Sequence, residues 1–265
     1  MSTSAYSDDL AFAHRLADIA DAITLDRYQA QDLVVSTKPD KTPVTDADRA
    51  TEQAIMAAIA KERAQDGIVG EEFGKSKENA ERYWVIDPID GTKNFMRGVP
   101  TWATLIGLVE RSSDGTESVV VGVVSAPALA RRWYASTGSG AYLVFANGAP
   151  KKISVSKVDS IANSSVAYSD FVGWNEKLSS FRKLLDSALR TRGYGDFWSH
   201  MLVAEGAVDV AIEPSLALWD MAALDVIVRE AGGKFSGTNG VAGPFQGSGL
   251  STNGILHKKI VEALS

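Results

Sequence analysis

Two aspartates stand three residues apart directly after an apolar, strand-like run, in the segment Trp84-Val85-Ile86-Asp87-Pro88-Ile89-Asp90-Gly91-Thr92. A buried strand gains nothing from ending in two anions unless a cation neutralises them, because an unpaired buried charge costs several kcal/mol. Proline interrupts the strand ladder and glycine permits a tight turn, so both carboxylates are expected to face one cavity. Hard oxygen ligands suit Mg²⁺. Asp-Pro and Asp-Gly are also ordinary turn formers, so this segment alone leaves a metal site and a solvated turn equally open.

Three further acidic groups lie elsewhere in the chain, and each has an ordinary structural interpretation. Asp48 lies at the expected start of a helix and is a candidate cap. Glu71 and Glu72 follow a glycine and fit a solvated loop. Asp220 fits the first turn of a helix, where an acid interacts favourably with the helix dipole. Taken one at a time these acids do not indicate a metal site, but their joint occurrence with the two aspartates of the opening segment does.

The elements that must position these acids form a mixed α/β pattern. Apolar residues at helical spacing predict a helix over residues 8–27, and a capping box of Thr45 and Asp48 predicts a second helix. The predicted apolar face of that second helix comprises Ala47, Ala50, Ala54, Ile55, Ala58 and Ile59. Apolar runs bounded by turn signals predict strands over residues 68–70, 84–87, 104–109, 119–125, 133–135 and 142–145. The first two strands deliver acids at their ends.

A polar stretch near residues 153–160 predicts a boundary between two halves of the chain. Residues 1–155 would form an N-terminal α+β half that binds metal and phosphate. Residues 156–265 would form a C-terminal α/β half that contributes the substrate pocket and one metal ligand. In this second half the pattern predicts helices over residues 174–190, 196–206, 219–231 and 255–264 and a strand over 208–212. Sheets and helices are therefore expected in layers.

Composition excludes several classes of protein and of site. The 265 residues carry a net charge of −6, which argues against a nucleic-acid binder with a basic surface. The absence of cysteine excludes disulfides and thiolate metal sites, and three histidines disfavour a multi-histidine zinc site. There is no signal-type apolar core at the N-terminus and no uncharged apolar run of about 18 residues. A cytoplasmic protein that contacts no membrane is the expectation.

The acidic clusters, taken with their neighbours, resemble the inositol monophosphatase superfamily of Mg²⁺-dependent, Li⁺-sensitive phosphomonoesterases. The segment from Trp84 to Thr92, followed by Asn94-Phe95, matches the first signature of that family throughout. The second signature matches Trp219-Asp220-Met221-Ala222-Ala223 with Gly232-Gly233. Two further motifs match Gly70-Glu71-Glu72 and Lys38-x-Asp40-x-Thr42-x-Val44-Thr45-x-Ala47-Asp48. The resemblance covers nearly the whole chain in the expected order. It implies a layered αβαβα sandwich of the inositol monophosphatase and fructose-1,6-bisphosphatase type.

The resemblance also implies roles for individual residues. Thr92 and Asp48 would orient and deprotonate the attacking water with the help of Glu71, while Gly91 and Thr92 would hold the phosphate. Two or three Mg²⁺ ions, which Mn²⁺ can replace, would be bound by Glu71, Asp87, Asp90, Asp220 and the main-chain carbonyl of Ile89. Several carboxylates that concentrate such ions would activate water and clamp an in-line displacement. The resemblance further implies a homodimer.

The second half departs from typical inositol phosphatases where the alcohol part of the substrate would lie. Asp196 stands where those enzymes have threonine, Ala217 stands where they have histidine, and Phe197-Trp198 is bulkier than the usual pair. The run from Arg192 to Asp196 resembles the histidinol-phosphate phosphatases of the superfamily, which act in histidine biosynthesis.

Physical chemistry favours the same substrate. L-Histidinol phosphate carries an α-ammonium and an imidazole, so Asp196 and Glu213 would bind its cationic half through charge-assisted hydrogen bonds. Asp220 is also expected among the substrate-binding residues. Phe197 or Trp198 would add an apolar or cation–π wall. In the competing interpretation Asp196 only caps the following helix and the aromatic residues belong to the core. His200 is interpreted as a packed side chain rather than a ligand.

Two other functions remain open at the level of sequence. One is an inositol monophosphatase or a broad-specificity sugar-phosphate phosphatase with the same fold. The other is a catalytically silent protein that binds a metal or ligand and has a regulatory role. The complete set of metal-type acids, together with Thr92, argues against a silent protein. In each phosphatase hypothesis the partner is a small-molecule phosphate ester, with no nucleic acid and no membrane involved.

Overall fold

The structure, a computed structural model, describes residues 5–39, 41–77 and 79–265. Asp40, which belongs to the N-terminal motif, lies outside the described residues. Within these ranges the helices are α1 (Ser7–Arg27), α2 (Asp46–Glu62), α3 (Thr92–Met96), α4 (Leu178–Ser187), α5 (Asp196–Ala204), α6 (Leu218–Glu230) and α7 (His257–Ala263). Over the same residues, no helix combines the length and the apolar character needed to cross a membrane.

An eight-stranded sheet fills much of the first half of the chain. Its strands are β3 (Gly67–Gly70), β4 (Lys75–Ser76), β5 (Arg82–Asp90), β6 (Ala103–Arg111), β7 (Glu117–Ala126), β8 (Arg131–Ser136), β9 (Gly140–Phe145) and β10 (Lys151–Lys152). They lie in the order β10-β9-β8-β7-β6-β5-β3-β4, and only the β3–β5 pair of this sheet is parallel. Before the sheet, β1 (Val35–Thr37) and β2 (Pro43–Thr45) form an antiparallel pair.

A five-stranded mixed sheet belongs to the second half. Its strands are β11 (Ser165–Ala167), β12 (Arg190–Arg192), β13 (Val210–Glu213), β14 (Lys234–Ser236) and β15 (Gly249–Thr252). They lie in the order β12-β11-β13-β15-β14, with β11 parallel to both of its neighbours and β15 antiparallel to both of its own. Glu213 is the last residue of β13, so this sheet delivers one of the predicted substrate-binding acids.

The helices and the two sheets stack in five layers. Helices α1 and α2 pack on one face of the eight-stranded sheet through a core that includes Phe12, Ile55 and Trp84. Helices α5 and α6 cover the other face and also contact the five-stranded sheet. On the far side of that second sheet, α4 and α7 pack on Val166 and Ile212. The predicted αβαβα sandwich is confirmed.

Two glycines let α6 lie unusually close to the eight-stranded sheet. Gly107 on β6 and Gly122 on β7 are direct cross-strand partners. A methyl group on Gly107 would lie 2.9 Å from Ala222, and one on Gly122 would lie 2.6 Å from the carbonyl oxygen of Ala223. Because Asp220 is in the first turn of α6, this close packing determines how near its carboxylate lies to the end of β5.

The structure corrects the prediction that Pro88 ends the strand of the opening segment. Strand β5 continues to Asp90, with a bulge in its pairing to β6 between Asp87 and Asp90. On its other side, pairing to β3 extends only as far as Ile86. Proline has no backbone N–H to donate to a neighbouring strand. It is tolerated at residue 88 because β5 is bulged on the side of β6 and unpaired on the other side, as is usual for proline at bulges and strand edges.

Other predicted elements differ from the structure at their ends or on one face. Ala50 was placed on the buried face of α2 but is exposed, whereas Thr51 and Glu52 are buried. The helix predicted over residues 174–190 starts as a 3₁₀ turn, becomes α-helical at Leu178 and ends at Ser187, since Arg190 begins β12. Strands β11, β12, β14 and β15 were not predicted, because each is a run of three or four residues with little alternation.

The predicted boundary near residue 155 lies between the two sheets, but the layers interlock across it. Every strand of the first sheet precedes residue 155, and every strand of the second follows it. Helix α6 nevertheless shares one apolar core with the first sheet, in which Met221 and Val226 lie among residues such as Val85 and Trp133. The division into two halves stays a prediction.

We predict that Gly122→Ala lowers the free energy of unfolding by about 1–3 kcal/mol, because the added methyl group overpacks the contact with α6. Denaturant unfolding followed by circular dichroism measures this change. Gly193→Ala is the matched control, since the nearest atom would lie 3.5 Å from its new methyl group, an ordinary contact. Equal stability of the two variants would show that the close approach of α6 does not depend on Gly122.

Candidate active site

Three aspartate side chains from β5 and α6 meet at the end of the eight-stranded sheet. Oxygens of Asp87, Asp90 and Asp220 all lie within 4.8 Å of one another. The bulge in β5 makes this possible. It shifts the pairing of β5 with β6 between Asp87 and Asp90, so that both carboxylates reach the same point. The two acids of the opening segment therefore converge at one point, where Asp220 joins them. Of the two, Asp90 lines the cavity that also contains Asp220.

Each of the three carboxylates is held in position by a hydrogen bond from one main-chain N–H. Asp87 Oδ1 accepts from the amide of Ile89 at 3.0 Å, and Asp90 Oδ2 accepts from the amide of Phe197 at 2.7 Å. Asp220 Oδ2 accepts from the amide of Ala217 at 2.7 Å, which also caps the first turn of α6. Asp220 therefore lies in the first turn of a helix, as its structural interpretation predicted, and also belongs to the acidic cluster.

Burial and mutual repulsion make the ionised cluster unfavourable without a cation. Burial raises the pKa of Asp87 well above its usual range, and the charges of Glu71, Asp90 and Asp220 add to the effect. The pKa of Asp90 is raised in the same way, first by burial and then by nearby carboxylates. For Asp220, burial raises the pKa to about 7 although the bond from Ala217 opposes it. A hard divalent cation would remove this repulsion, and the all-oxygen donor set fits such an ion.

Glu71 lies beside the cluster but is paired with a lysine. Lys38 Nζ lies 2.6 Å from Glu71 Oε1 and 2.6 Å from Glu72 Oε1. Among the described residues Glu71 is outside the group of three whose oxygens lie within 4.8 Å. Its charge still raises the pKa of Asp87, so the two carboxylates are close enough to interact.

Thr92 lies between the acidic cluster and Asp48. Its Oγ1 donates to the carbonyl of Ile89 at 3.0 Å and lies 3.4 Å from Asp48 Oδ1. The predicted capping box is confirmed, because Thr45 donates to the other carboxylate oxygen of Asp48 from both its N–H and its hydroxyl. Burial raises the pKa of Asp48 to about 6, with the charges of Glu71 and Glu72 contributing. A carboxylate with that pKa suits proton transfer near neutral pH.

Two adjoining cavities open next to these groups. The first, of about 420 Å³, is lined by Glu71 and the turn from Gly91 to Asn94, and reaches Tyr194. The second, of about 320 Å³, extends from Asp90 and Asp220 inward to Glu213. The cavities share four lining residues, which are Thr42, Lys93, Ser169 and Asp196. Sequence-predicted residues of both halves thus line one continuous region.

The interpretation of Asp196 as a helix cap is wrong. Gly195 is the N-cap of α5, and no side chain caps this helix. The Asp196 carboxylate instead accepts a hydrogen bond from Asn94 Nδ2 at 3.0 Å, and its backbone has a positive φ of 48°. That left-handed conformation is unfavourable for a residue with a side chain, and such strain concentrates at functional sites.

Glu213 is buried at the end of β13 and faces the second cavity. Its Oε1 accepts from the hydroxyl of Ser169 at 2.7 Å, and that hydroxyl also accepts from the amide of Asp196 at 3.1 Å. Burial raises the pKa of Glu213 to about 8, and the nearby Asp196 charge adds to this. One serine therefore connects both acids that the sequence assigned to substrate binding.

The aromatic predictions have mixed outcomes. Phe197 lines the second cavity, although it also packs against Trp133 in the core. Trp198 lines neither cavity and packs against Tyr194, so it does not form a wall. His200 is buried as expected, with Nδ1 2.7 Å from Ser251 Oγ, yet it also lines the second cavity. Burial lowers the pKa of His200 to about 4, so its ring is neutral.

Several residues of this region were missed by the sequence analysis. Lys93 is the one cationic side chain among the described residues that line both cavities, and its place next to Thr92 was an available signal. Glu52 follows Asp48 by one helical turn, which puts two acids on the buried face of α2. Tyr194 belongs to the run from Arg192 to Asp196 that the resemblance singled out. The position of Ser169 in the cavity had no comparable signal, because a loop brings it there.

Comparison with known proteins agrees with this geometry. The sequence pattern of the Inositol monophosphatase family matches residues 6–265. The chain belongs to this family. A histidinol-phosphatase of Mycobacterium tuberculosis is 51% identical over 260 residues, which cover 97% of this chain and 98% of that protein. A histidinol-phosphatase of Streptomyces coelicolor is 50% identical over 262 residues, covering 98% of each.

A solved structure of the inositol monophosphatase family has the same fold. An inositol monophosphatase from Zymomonas mobilis superposes with a TM-score of 0.84 at 32% identity, covering 99% of each chain. The family is one of phosphatases that generally depend on divalent metal ions, and this chain is identified as a phosphatase of that kind. The acidic cluster is where such an ion fits.

We predict that, in EDTA, the free energy of unfolding falls as pH rises from about 4 to about 7. Over this range Asp220, whose pKa is raised from 3.8 to about 7, keeps a proton in the folded state that the unfolded state has released. Added Mg²⁺ at about 100 times its dissociation constant should restore about 2.7 kcal/mol near neutral pH.

Denaturant unfolding at several pH values, with EDTA or with MgCl₂, checks this prediction. Asp220→Asn should flatten the pH dependence in EDTA and reduce the gain from Mg²⁺. A wild-type protein whose stability neither falls with pH in EDTA nor responds to Mg²⁺ would contradict the electrostatic account of the cluster.

Proposed function

We propose that this chain is a Mg²⁺-dependent phosphomonoesterase that hydrolyses L-histidinol phosphate to L-histidinol and phosphate. The observation that carries the proposal is the pair of carboxylates, Asp196 and Glu213, on the cavity that continues from the three-aspartate cluster. A phosphate held near the cluster would leave the alcohol half of the ester against these two acids. A cationic alcohol would stabilise the ionised forms of these two acids, whose pKa values burial raises, whereas a neutral polyol would not.

The chemistry of the substrate matches the pocket. Histidinol phosphate carries an α-ammonium group and an imidazole, and each can donate hydrogen bonds to a carboxylate. Asp196 has one oxygen bonded to Asn94, and Glu213 has one oxygen bonded to Ser169. Each acid therefore retains an oxygen for the ligand. The names of the two relatives that are half identical to this chain agree with the same substrate.

Five groups are proposed as the metal-binding set: the carboxylates of Glu71, Asp87, Asp90 and Asp220 and the carbonyl of Ile89. Two or three Mg²⁺ ions, or Mn²⁺ in their place, are proposed for each site. When bound, these ions supply positive charge that activates water and stabilises the leaving oxygen. Glu71 would leave its ion pair with Lys38, and the Ile89 carbonyl would share its lone pairs with Thr92.

The chain's own residues would guide the displacement. Thr92 would hold the attacking water through its hydroxyl, and Asp48, 3.4 Å away, would take the proton. The water oxygen would form a bond to phosphorus as the ester P–O bond breaks. The leaving oxygen would take a proton from solvent to give L-histidinol, and Asp48 would return its proton to solvent. Main-chain N–H groups of Gly91 and Thr92 would hold the phosphate oxygens in line, with Lys93 nearby.

Oligomeric state and location are proposed from the family resemblance. We propose a homodimer in the cytoplasm, acting on a small phosphate ester in histidine biosynthesis without nucleic acid or membrane as partner. Sedimentation equilibrium of the purified chain would test the dimer, and a monomer at micromolar concentration would contradict it.

We predict that Asp196→Asn raises KM for histidinol phosphate by about 10- to 100-fold, because a charged hydrogen bond is worth about 1.5–3 kcal/mol. Inositol 1-phosphate, whose alcohol is neutral, should be affected far less. Initial-rate measurements of phosphate release with both esters and saturating Mg²⁺ check this, with Asp186→Asn on α4 as the control for an unrelated aspartate. Equal losses for the two esters would show that Asp196 does not recognise the cation, and a wild-type preference for inositol 1-phosphate would overturn the substrate assignment.

We predict that Asp90→Asn abolishes turnover while the fold stays intact, since the amide is isosteric but a poor ligand for Mg²⁺. Phosphate release and the far-ultraviolet circular dichroism spectrum would be measured together. Asp114→Asn, in the exposed turn between β6 and β7, should keep normal activity. Wild-type rates for Asp90→Asn would exclude it from the metal site. No phosphate release by the wild type from a panel of esters would favour a silent binding protein.

A further inference from the structure

Glu52 is a fully buried carboxylate whose partners lie on the loop that carries Glu71. It stands on α2 one turn after Asp48, and its side chain crosses to the loop after β3. Its Oε2 accepts from the amide of Glu72 at 2.8 Å, and its Oε1 accepts from the amide of Phe73 at 2.9 Å. Both bonds are charge-assisted, so they are stronger than bonds between neutral groups.

The loop is built around this carboxylate. The amide of Gly70 donates to the carbonyl of Gly74 at 2.9 Å, which closes a turn over residues 70–74. A methyl group on Gly70 would lie only 1.9 Å from Glu52 Oε1. The carboxylate thus occupies the space that a side chain at residue 70 would need. Glu71 therefore lies between Gly70, which packs against Glu52, and Glu72, whose amide donates to Glu52.

The buried charge of Glu52 lowers the stability of the protein when no cation is bound. Glu52 is an additional acid behind Asp48, Glu71 and Glu72, and it has no ion-pair partner among the described residues. A buried anion held only by N–H groups adds to the negative potential of the region. Such a potential destabilises the protein alone but strengthens the binding of a cation in front of it.

We propose that Glu52 is a positioning residue for the metal site. It fixes the turn over residues 70–74 so that the Glu71 carboxylate faces the three aspartates, and its charge increases the affinity for divalent cations. This inference rests on the proposed metal-dependent function. Glu52 contacts neither the substrate nor the reacting atoms.

Glu52→Gln tests the proposal because it keeps the shape of the side chain. Glutamine has one acceptor oxygen, so its NH₂ group would face an N–H of the loop, and the charge is lost. Calorimetric titration with Mg²⁺ in the absence of substrate should give a dissociation constant raised by about 10- to 100-fold. Deuterium uptake over residues 70–74 should increase, and KM for the ester at saturating Mg²⁺ should remain near the wild-type value.

Two further variants separate positioning from mere stabilisation. Thr51→Val changes the neighbouring buried residue, whose hydroxyl has no hydrogen-bond partner within the described residues, and should leave Mg²⁺ affinity and deuterium uptake unchanged. Glu52→Asp keeps the charge and should restore part of the Mg²⁺ affinity, which also covers the case in which Glu52→Gln fails to fold.

Four outcomes have different meanings. Normal Mg²⁺ affinity and normal deuterium uptake in folded Glu52→Gln would overturn the positioning role. Equal weakening of Mg²⁺ binding by Thr51→Val and Glu52→Gln would also overturn the positioning role. A wild-type protein that binds no Mg²⁺ would contradict the proposed function itself, and one that binds Mg²⁺ but prefers inositol phosphate would leave the role of Glu52 intact.

Discussion

Repulsion among buried carboxylates is the constraint on which the rest of the structure depends. Asp87, Asp90 and Asp220 are brought within 4.8 Å of one another, and burial raises the pKa of each. A fold that only had to be stable would separate these groups or pair them with cations. Here main-chain hydrogen bonds hold them at a common point, where a bound divalent cation would remove their repulsion.

Close packing between layers makes the convergence possible. The bulge in β5 turns two of the acids to one side, and the paired glycines Gly107 and Gly122 let α6 carry the third acid up to them. Phe197, at the start of α5, then donates its amide to Asp90, next to the strained residue Asp196. The proposed metal site and the proposed substrate pocket are therefore connected through two adjacent residues.

Much of the catalytic half could be predicted from the sequence, because its acids lie in short segments with strong local signals. The capping box at Asp48 forms as predicted. In the run from Asp87 to Thr92 the two acids converge as predicted, although the strand extends to Asp90. Contacts made by loops could not be predicted. Nothing in the local pattern shows that Ser169 bridges two acids or that Lys38 pairs with Glu71, since both contacts join segments far apart in the chain.

We propose a divalent cation at the three aspartates and a cationic alcohol against Asp196 and Glu213. The most direct test is a crystal structure of the Thr92→Ala variant, which we expect to be inactive, with Mn²⁺ and histidinol phosphate, recorded with anomalous scattering. The predicted result is anomalous density between Asp87, Asp90 and Asp220, with the ammonium or imidazole of the ligand within hydrogen-bond distance of Asp196 or Glu213. Anomalous density elsewhere, or an organic half turned toward solvent while the phosphate is bound, would contradict it.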